Sequence, residues 1–327
     1  MNLLVTGGCG FIGSNFLKHI IFKRRPSAKK IVVLDSLTYA ANYENIKDDV
    51  DDHHKIKFVN VDLVDQRYVE GVFDKYGIDH VMHFAAESHV DNSITGPRKF
   101  IDTNIVGTFN LLEAGRKYNI KRFHHISTDE VFGSLEDKSS KFSESTPYDP
   151  RNPYAASKAA SDHIVRSYYH TFGLPVTISN CSNNYGPYQH TEKFIPVIIN
   201  SILKRKKIPL YGKGQNIRDW IYVDDHCSAL WTILNKGTIG ETYNIGANAE
   251  KSNIHLIHAI CKLLKVDPEV CIEFVEDRLG HDFRYAIDNS KIKKELKWKP
   301  KHTFEKGLSK TVNHYKDLYD TEFQSFV

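Results

Sequence analysis

Gly7-Gly8-Cys9-Gly10-Phe11-Ile12-Gly13 follows directly on the apolar run Asn2–Thr6 and leads into the helical spacing of Ile12–Phe22. Glycines in this place meet a demand for backbone space. They let the chain turn tightly, approach a diphosphate, and bring a helix close to a strand, with the helix N-terminus facing the anion. A glycine triplet alone is weak evidence, but this one lies at the strand-to-helix junction that the mechanism needs. Gly7, Gly10, Phe11, Ile12 and Gly13 are therefore candidate dinucleotide contacts. A second strand-like run, Lys30–Asp35, ends in a carboxylate about 20 residues beyond the last glycine, where it can accept from an adenosine ribose hydroxyl and would repel a 2′-phosphate. The pattern predicts NAD rather than NADP. Asp62 and Leu63 end the third such run and are placed to hold the adenine.

Outward from the loop, the first half alternates in kind. Lys57–Val61, His80–Ala85, Arg122–Ser127 and Val176–Cys181 are rich in branched or aromatic residues. Arg67–Tyr76, Phe100–Tyr118 and Tyr154–Phe172 carry helical spacing. Such alternation predicts an α/β protein with a doubly wound parallel sheet, covered on both faces. From Asn183 the regularity decays into prolines and glycines. The expected division is a Rossmann-type unit over 1–182 and a smaller mixed α/β C-terminal substrate domain over 183–327, with strands within 219–246 rejoining the first sheet.

The 327 residues suffice for a sizeable core. With 41% hydrophobic and 26% charged residues the chain reads as a water-soluble globular protein. A formal charge of +4 gives no footprint for nucleic acid. No apolar run reaches bilayer length, and Met1–Val5 lacks signal-peptide anatomy. The five cysteines have no metal-type spacing and are expected to be reduced and buried, in a cytoplasmic setting. Lys204–Lys207 reads as a solvated helix end.

Tyr154 and Lys158 stand four apart, on one face of a helix that Pro153 opens. A phenol is a poor base at neutral pH, and a neighbouring ammonium and a cationic nicotinamide ring would favour phenolate. Ser127-Thr128, at a strand end, offers a hydroxyl to a reacting oxygen.

Together, Gly7–Gly13, Ser127-Thr128 and the Tyr154/Lys158 pair resemble the extended short-chain dehydrogenases that act on nucleotide sugars. Ser127-Thr128-Asp129-Glu130-Val131-Phe132-Gly133 is similar to the hallmark of the nucleoside-diphosphate-hexose 4,6-dehydratases. Phe84–Asp91, Cys181–Pro187, Arg218-Asp219-Trp220 and Asp277–Asp282 look like the dTDP-sugar branch of that family. The resemblance implies oxidation at C4 of the sugar by Tyr154, Lys158 and Thr128, then loss of water across C5 and C6. Glu130 is implied as the base at C5 and Asp129 as the acid at C6, since elimination needs two carboxyl groups of separated pKa. The hydride then returns to C6.

Further contacts are implied. Thr38, Phe84, Ala85, Ala86, Ser88 and Thr103 would line the NAD site. Ser88, Asn183, Lys193, Pro209, Tyr211, Arg218, Asn253, Arg278 and His281 would bind the nucleotide sugar, Arg218 by forking onto phosphate. No metal is expected, and a homodimer through Phe100–Tyr118 and Tyr154–Phe172 is. Asn92 departs from the dTDP branch, which carries Arg there, and resembles UDP-glucose dehydratases; Phe194 replaces a usual Leu. The base, the C2 substituent and inversion at C5 stay open. A 4-epimerase or a silent NAD-binding protein are the rival readings; neither requires Asp129-Glu130.

Overall fold

The computed structural model describes residues 1–24, 28–277 and 282–324. Twelve strands among them run in chain order: β1 Asn2–Thr6, β2 Lys30–Asp35, β3 Ile56–Asn60, β4 His80–His83, β5 Arg122–Thr128, β6 Val176–Cys181, β7 Asn183–Tyr185, β8 Ile208–Tyr211, β9 Ile217–Tyr222, β10 Thr242–Ile245, β11 Glu250–Ser252 and β12 Ile272–Val275. Seven form one sheet in the order β10-β6-β5-β4-β1-β2-β3, and every pairing in it is parallel. The order reverses between β1 and β4. That switch point leaves a crevice at the carboxyl ends of the strands, where the glycine loop lies.

Parallel strands covered on both faces need apolar residues on both, and β1 has them. Leu3 and Val5 enter one core with Phe16, Leu17, Cys227, Leu230 and Ile233; Leu4 enters the other with Val69, Phe73, Leu111 and Val165. The helices Phe11–Lys18 and Val223–Lys236 thus cover one face, and Gln66–Tyr76, Thr108–Lys117 and Pro153–Phe172 the other. A third core, with Tyr185, Ile195, Leu210, Trp220, Ile257 and Phe304, holds a smaller lobe around the β11-β9-β7 and β12-β8 sheets. The α/β class and the doubly wound parallel sheet are as expected.

Three expectations are corrected. Thr242–Ile245 does join the large sheet, beside β6, but Ile217–Tyr222 does not. It pairs parallel with β7 and antiparallel with β11, and Trp220 and Tyr222 pack into the third core. The helix expected over Ile12–Phe22 is α-helical over Phe11–Lys18 and then widens to a π-helical stretch, His19–Arg24. The one expected over Phe100–Tyr118 opens with a short turn, Arg98–Phe100, and a π-helical stretch, Ile101–Gly107. There Asn104 is drawn sideways, bonding Glu87 and Ser157, while Thr108 Oγ1 donates to its carbonyl at 2.6 Å. Such bulges commonly mark functional sites.

All five cysteines are free thiols; Cys271 is half-buried and the other four are buried. Among the described residues no helix is long and apolar enough to cross a membrane, and no cluster of His, Cys, Asp and Glu could hold a metal.

Candidate active site

The glycine loop is shaped for close approach. Gly7 has φ +67°, and a Cβ there would lie 2.6 Å from the Ala85 amide nitrogen. A Cβ on Gly13 would lie 2.2 Å from the Gly7 carbonyl oxygen. Gly10 caps the helix Phe11–Lys18, and its amide donates to the Gly7 carbonyl at 3.2 Å. Beside the loop, Asp35 is buried and accepts from the amides of Cys9 and Leu37, each at 2.9 Å. Burial pushes its carboxyl up while those two amides pull it down. Each oxygen keeps a lone pair for a further donor.

One cleft runs from this loop across the ends of β2, β4, β5 and β6. Every cofactor-binding residue expected from the sequence lines it: Gly7, Gly10, Phe11, Ile12, Gly13, Asp35, Thr38, Asp62, Leu63, Phe84, Ala85, Ala86, Ser88, Thr103, Tyr154 and Lys158. So do Thr128, Asp129, Glu130, Asn183 and Lys193.

Tyr154 and Lys158 sit in the first two turns of the helix Pro153–Phe172. Pro153 is at its start, and the Asn152 side chain caps it by accepting from the Ala155 amide at 2.8 Å. Both side chains are buried. Thr128 ends β5 and caps a 3-10 turn, Asp129–Phe132, with Oγ1 accepting from the Glu130 amide at 3.2 Å. Its hydroxyl also lies 3.4 Å from Asp129 Oδ1. The turn sets Asp129 inward and Glu130 half-buried at the cleft.

The electrostatics separate these groups. Asp129 is buried, and one carboxyl oxygen has no hydrogen-bond partner among the described residues. Desolvation, then the charges of Glu130 and Asp219, push its carboxyl well above the ordinary range, so it holds a proton where Asp normally does not. Lys158 is pulled down to about 8 by burial. Its Nζ donates to the Ile126 carbonyl at 2.8 Å. Burial, then the Glu130 charge, push the Tyr154 phenol well above 10 in the protein alone, and the Thr128 hydroxyl only partly opposes this.

The remaining substrate residues divide. Lys193 Nζ donates to the Ser88 carbonyl at 3.0 Å, and Asn183 holds a buried side-chain oxygen without a hydrogen-bond partner among the described residues. Pro209, Tyr211, Arg218 and Asn253 belong to the smaller lobe and are not part of the cleft lining. Arg218 is buried, donates to the carbonyls of Ile217, Phe283 and Asp282, and lies over the Tyr285 ring at 4.2 Å. Arg278 and His281 lie outside the described residues. Sequence reasoning missed Glu87, Gln189, His190 and Glu192, which also line the cleft. They carry no spacing of their own; only Glu87 lay within a quoted motif.

The sequence matches the family model described as GDP-mannose 4,6 dehydratase over residues 4–311. It is 50% identical to the dTDP-glucose 4,6-dehydratase of Neisseria meningitidis, over 96% of this chain and 93% of that one. It is 49% identical to the enzyme of that name from Salmonella typhimurium, covering 96% and 92%. The chain belongs to the nucleotide-sugar 4,6-dehydratases. Within this dehydratase family, the dTDP-glucose 4,6-dehydratase of Streptomyces venezuelae, solved with NAD bound, superposes with a TM-score of 0.93 at 44% identity, covering 97% of each chain. The NAD-bound UDP-glucose 4-epimerase of Thermus thermophilus gives a TM-score of 0.88 at 29% identity, covering 97% of this chain and 99% of that one. Dehydratases and epimerases thus share the fold, and this chain is more similar in sequence to these dehydratases than to that epimerase.

Proposed function

We propose that this protein is an NAD-dependent dTDP-glucose 4,6-dehydratase, a lyase that forms the 4-keto-6-deoxy sugar nucleotide. The observation that carries the reading is Asp129, a buried carboxyl pushed toward its protonated form, set between Thr128 and Glu130 in the cleft that holds Tyr154. Oxidation or 4-epimerisation alone has no use for it.

The site fits a dinucleotide: the Gly7–Gly13 cradle has no space for a Cβ at Gly7 or Gly13, and Asp35 would accept from a ribose diol. Bound there, NAD would supply a hydride acceptor for C4 and a hydride donor for C6. Tyr154 takes the C4 hydroxyl proton, with Thr128 orienting the forming carbonyl. Lys158 supplies positive charge beside the phenol and binds ribose. The ketone acidifies C5. Glu130 removes the C5 proton, and Asp129 protonates the departing C6 hydroxyl, which leaves as water. Glu130 then returns a proton to C5. Ser88, Asn183, Lys193, Arg218 and the smaller lobe's Pro209, Tyr211 and Asn253 are the candidates to hold the dTDP group.

Purified protein incubated with dTDP-glucose should yield a product that absorbs in alkali as a 4-keto-6-deoxy sugar. UDP-glucose and UDP-N-acetylglucosamine, the substrates that Asn92 raises as alternatives, should react more slowly. Formation of a C4 epimer without loss of water would overturn the reading.

We further propose a homodimer working in the cytoplasm, supplying deoxysugar of the rhamnose type for glycans. Ile101, Phe109 and Phe172 are large apolar residues exposed on the two helical segments expected at the interface. Sedimentation at micromolar concentration should give twice the chain mass of 37.5 kDa; a single-chain mass refutes the dimer.

A further inference from the structure

Asp162 stands one helical turn beyond Lys158 and is fully buried. Its Oδ2 accepts from Ser127 Oγ at 2.9 Å and from the Tyr148 hydroxyl at 2.8 Å, with Asn180 Nδ2 at 3.5 Å. Its Oδ1 lies 3.2 Å from His125 Nε2, and that nitrogen lies 3.4 Å from Lys158 Nζ. Asp162 does not line the cleft. It cannot touch substrate and must act through other side chains.

The groups around Lys158 show what that action is. His125 faces it from β5, Cys181 from β6, Tyr154 precedes it by a turn, and His83 on β4 packs behind His125 at 5.2 Å between ring centroids. The Cys181 thiol is pushed up to about 12 and the Tyr154 phenol well above 10, so both are neutral. His125 is pulled down to about 4, and His83 well below its usual range, by burial. Asp162 is thus the anion among them. Burial pushes its carboxyl up, but the contact with His125, the Lys158 charge and the Tyr148 hydroxyl outweigh this and hold it below its usual range; Tyr148 is itself bonded by Arg166 at 2.8 Å. A buried lysine without a counter-ion tends to lose its proton. The same carboxylate grips Ser127, and Asn180 donates both toward it and to the Thr128 carbonyl at 3.1 Å.

We propose that Asp162 is a positioning residue of the reaction. It is the buried counter-ion that keeps Lys158 an ammonium beside Tyr154, and it ties the Ser127-Thr128 strand end to the helix bearing the pair. The link to turnover rests on the dehydratase reading; the ionic link does not.

Two measurements test it on the full chain. Competitive acetylation of Lys158 across pH, read by mass spectrometry, needs no turnover. The midpoint should lie near 8 in the wild type and fall by about 1 pH unit or more in Asp162→Asn. Asp162→Glu, which keeps the charge, should leave it near the wild-type value even if turnover drops. An unmoved midpoint in Asp162→Asn overturns the proposal. In the second arm, the alkaline limb of the kcat profile on dTDP-glucose should move down in Asp162→Asn, with activity partly recovered at lower pH. Equal loss at every pH means a packing role and overturns the proposal too. A wild type inert toward dTDP-glucose sinks the functional reading alone, because the acetylation arm still decides. If Asp162→Asn does not fold, Asp162→Ser takes its place; if neither neutral variant folds, the carboxylate serves the fold and the proposal fails.

Discussion

Tyr154→Phe lowers turnover of dTDP-glucose by roughly 100- to 10,000-fold while leaving the fold intact, the usual range for loss of a positioned acid or base. The phenylalanine keeps the ring, which packs edge-on to Phe100 at 6.3 Å between centroids, so the helix loses no packing. What disappears is the hydroxyl that receives the C4 proton. No neighbour replaces it. Lys158 points its ammonium at the Ile126 carbonyl, and Asp129 is kept protonated by its surroundings. Steady-state kinetics beside a thermal melt check this. Near-normal kcat in a folded variant means another group takes the proton. An equal loss of melting temperature and activity would mean instead that the phenol serves the fold.

The upward shift of the Tyr154 phenol bears on when it acts. Burial and Glu130 favour the neutral form, so the protein alone does not supply a phenolate. The sequence argument needed two cations, the Lys158 ammonium and the nicotinamide ring. Within the protein alone the phenol stays above 10, chiefly through burial and then Glu130. The base is therefore expected to be active only with the oxidised cofactor in place, which suits a reaction that begins with hydride loss.

What was legible in the sequence was what backbone geometry writes locally. A strand, four glycines and a helix occupy one contiguous stretch, and a Tyr-Lys pair on adjacent turns gains its meaning beside that loop and the Ser127-Thr128 strand end. Residues that reach the site through tertiary folding leave no such mark. Asp162 is one more polar residue in an amphipathic helix, and His83 and His125 are ordinary strand residues by pattern; only the parallel pairing of β4 with β5 stacks them beneath Lys158. Trp220–Val223 reads as a strand either way, and its choice of sheet depends on β7 and β11, which are three residues each. The π-helical stretch at Ile101–Gly107 has the apolar spacing of an α-helix, because the side-chain bonds of Asn104 and Thr108, not hydrophobic period, open it. The smaller lobe's Arg218 carries the chemistry of a phosphate ligand, though three of its five N–H donors already bond backbone carbonyls and its plane lies over the Tyr285 ring.

Glu130→Gln separates oxidation from elimination. It should bind cofactor and sugar nucleotide as before, because the glycine cradle, Asp35 and the smaller lobe are unchanged. C4 oxidation should proceed, because Tyr154, Lys158 and Thr128 remain, and loss of the Glu130 charge removes one of the influences that raise the phenol. The reaction should then stop, since an amide cannot take the C5 proton at a useful rate. Reduced cofactor should accumulate on the protein, visible by its absorbance, and solvent deuterium should no longer enter C5. Asp129→Asn should behave differently. It removes the buried acid but leaves the base, so C5 exchange should persist while water loss slows. The two carboxyls act on one another, as the effect of Glu130 on Asp129 shows, so their losses need not add. Dehydration by Glu130→Gln at the wild-type rate would mean the base is misplaced. Failure even to reduce the cofactor would mean the glutamate serves binding, and the division of labour between the adjacent carboxyls would fall with it.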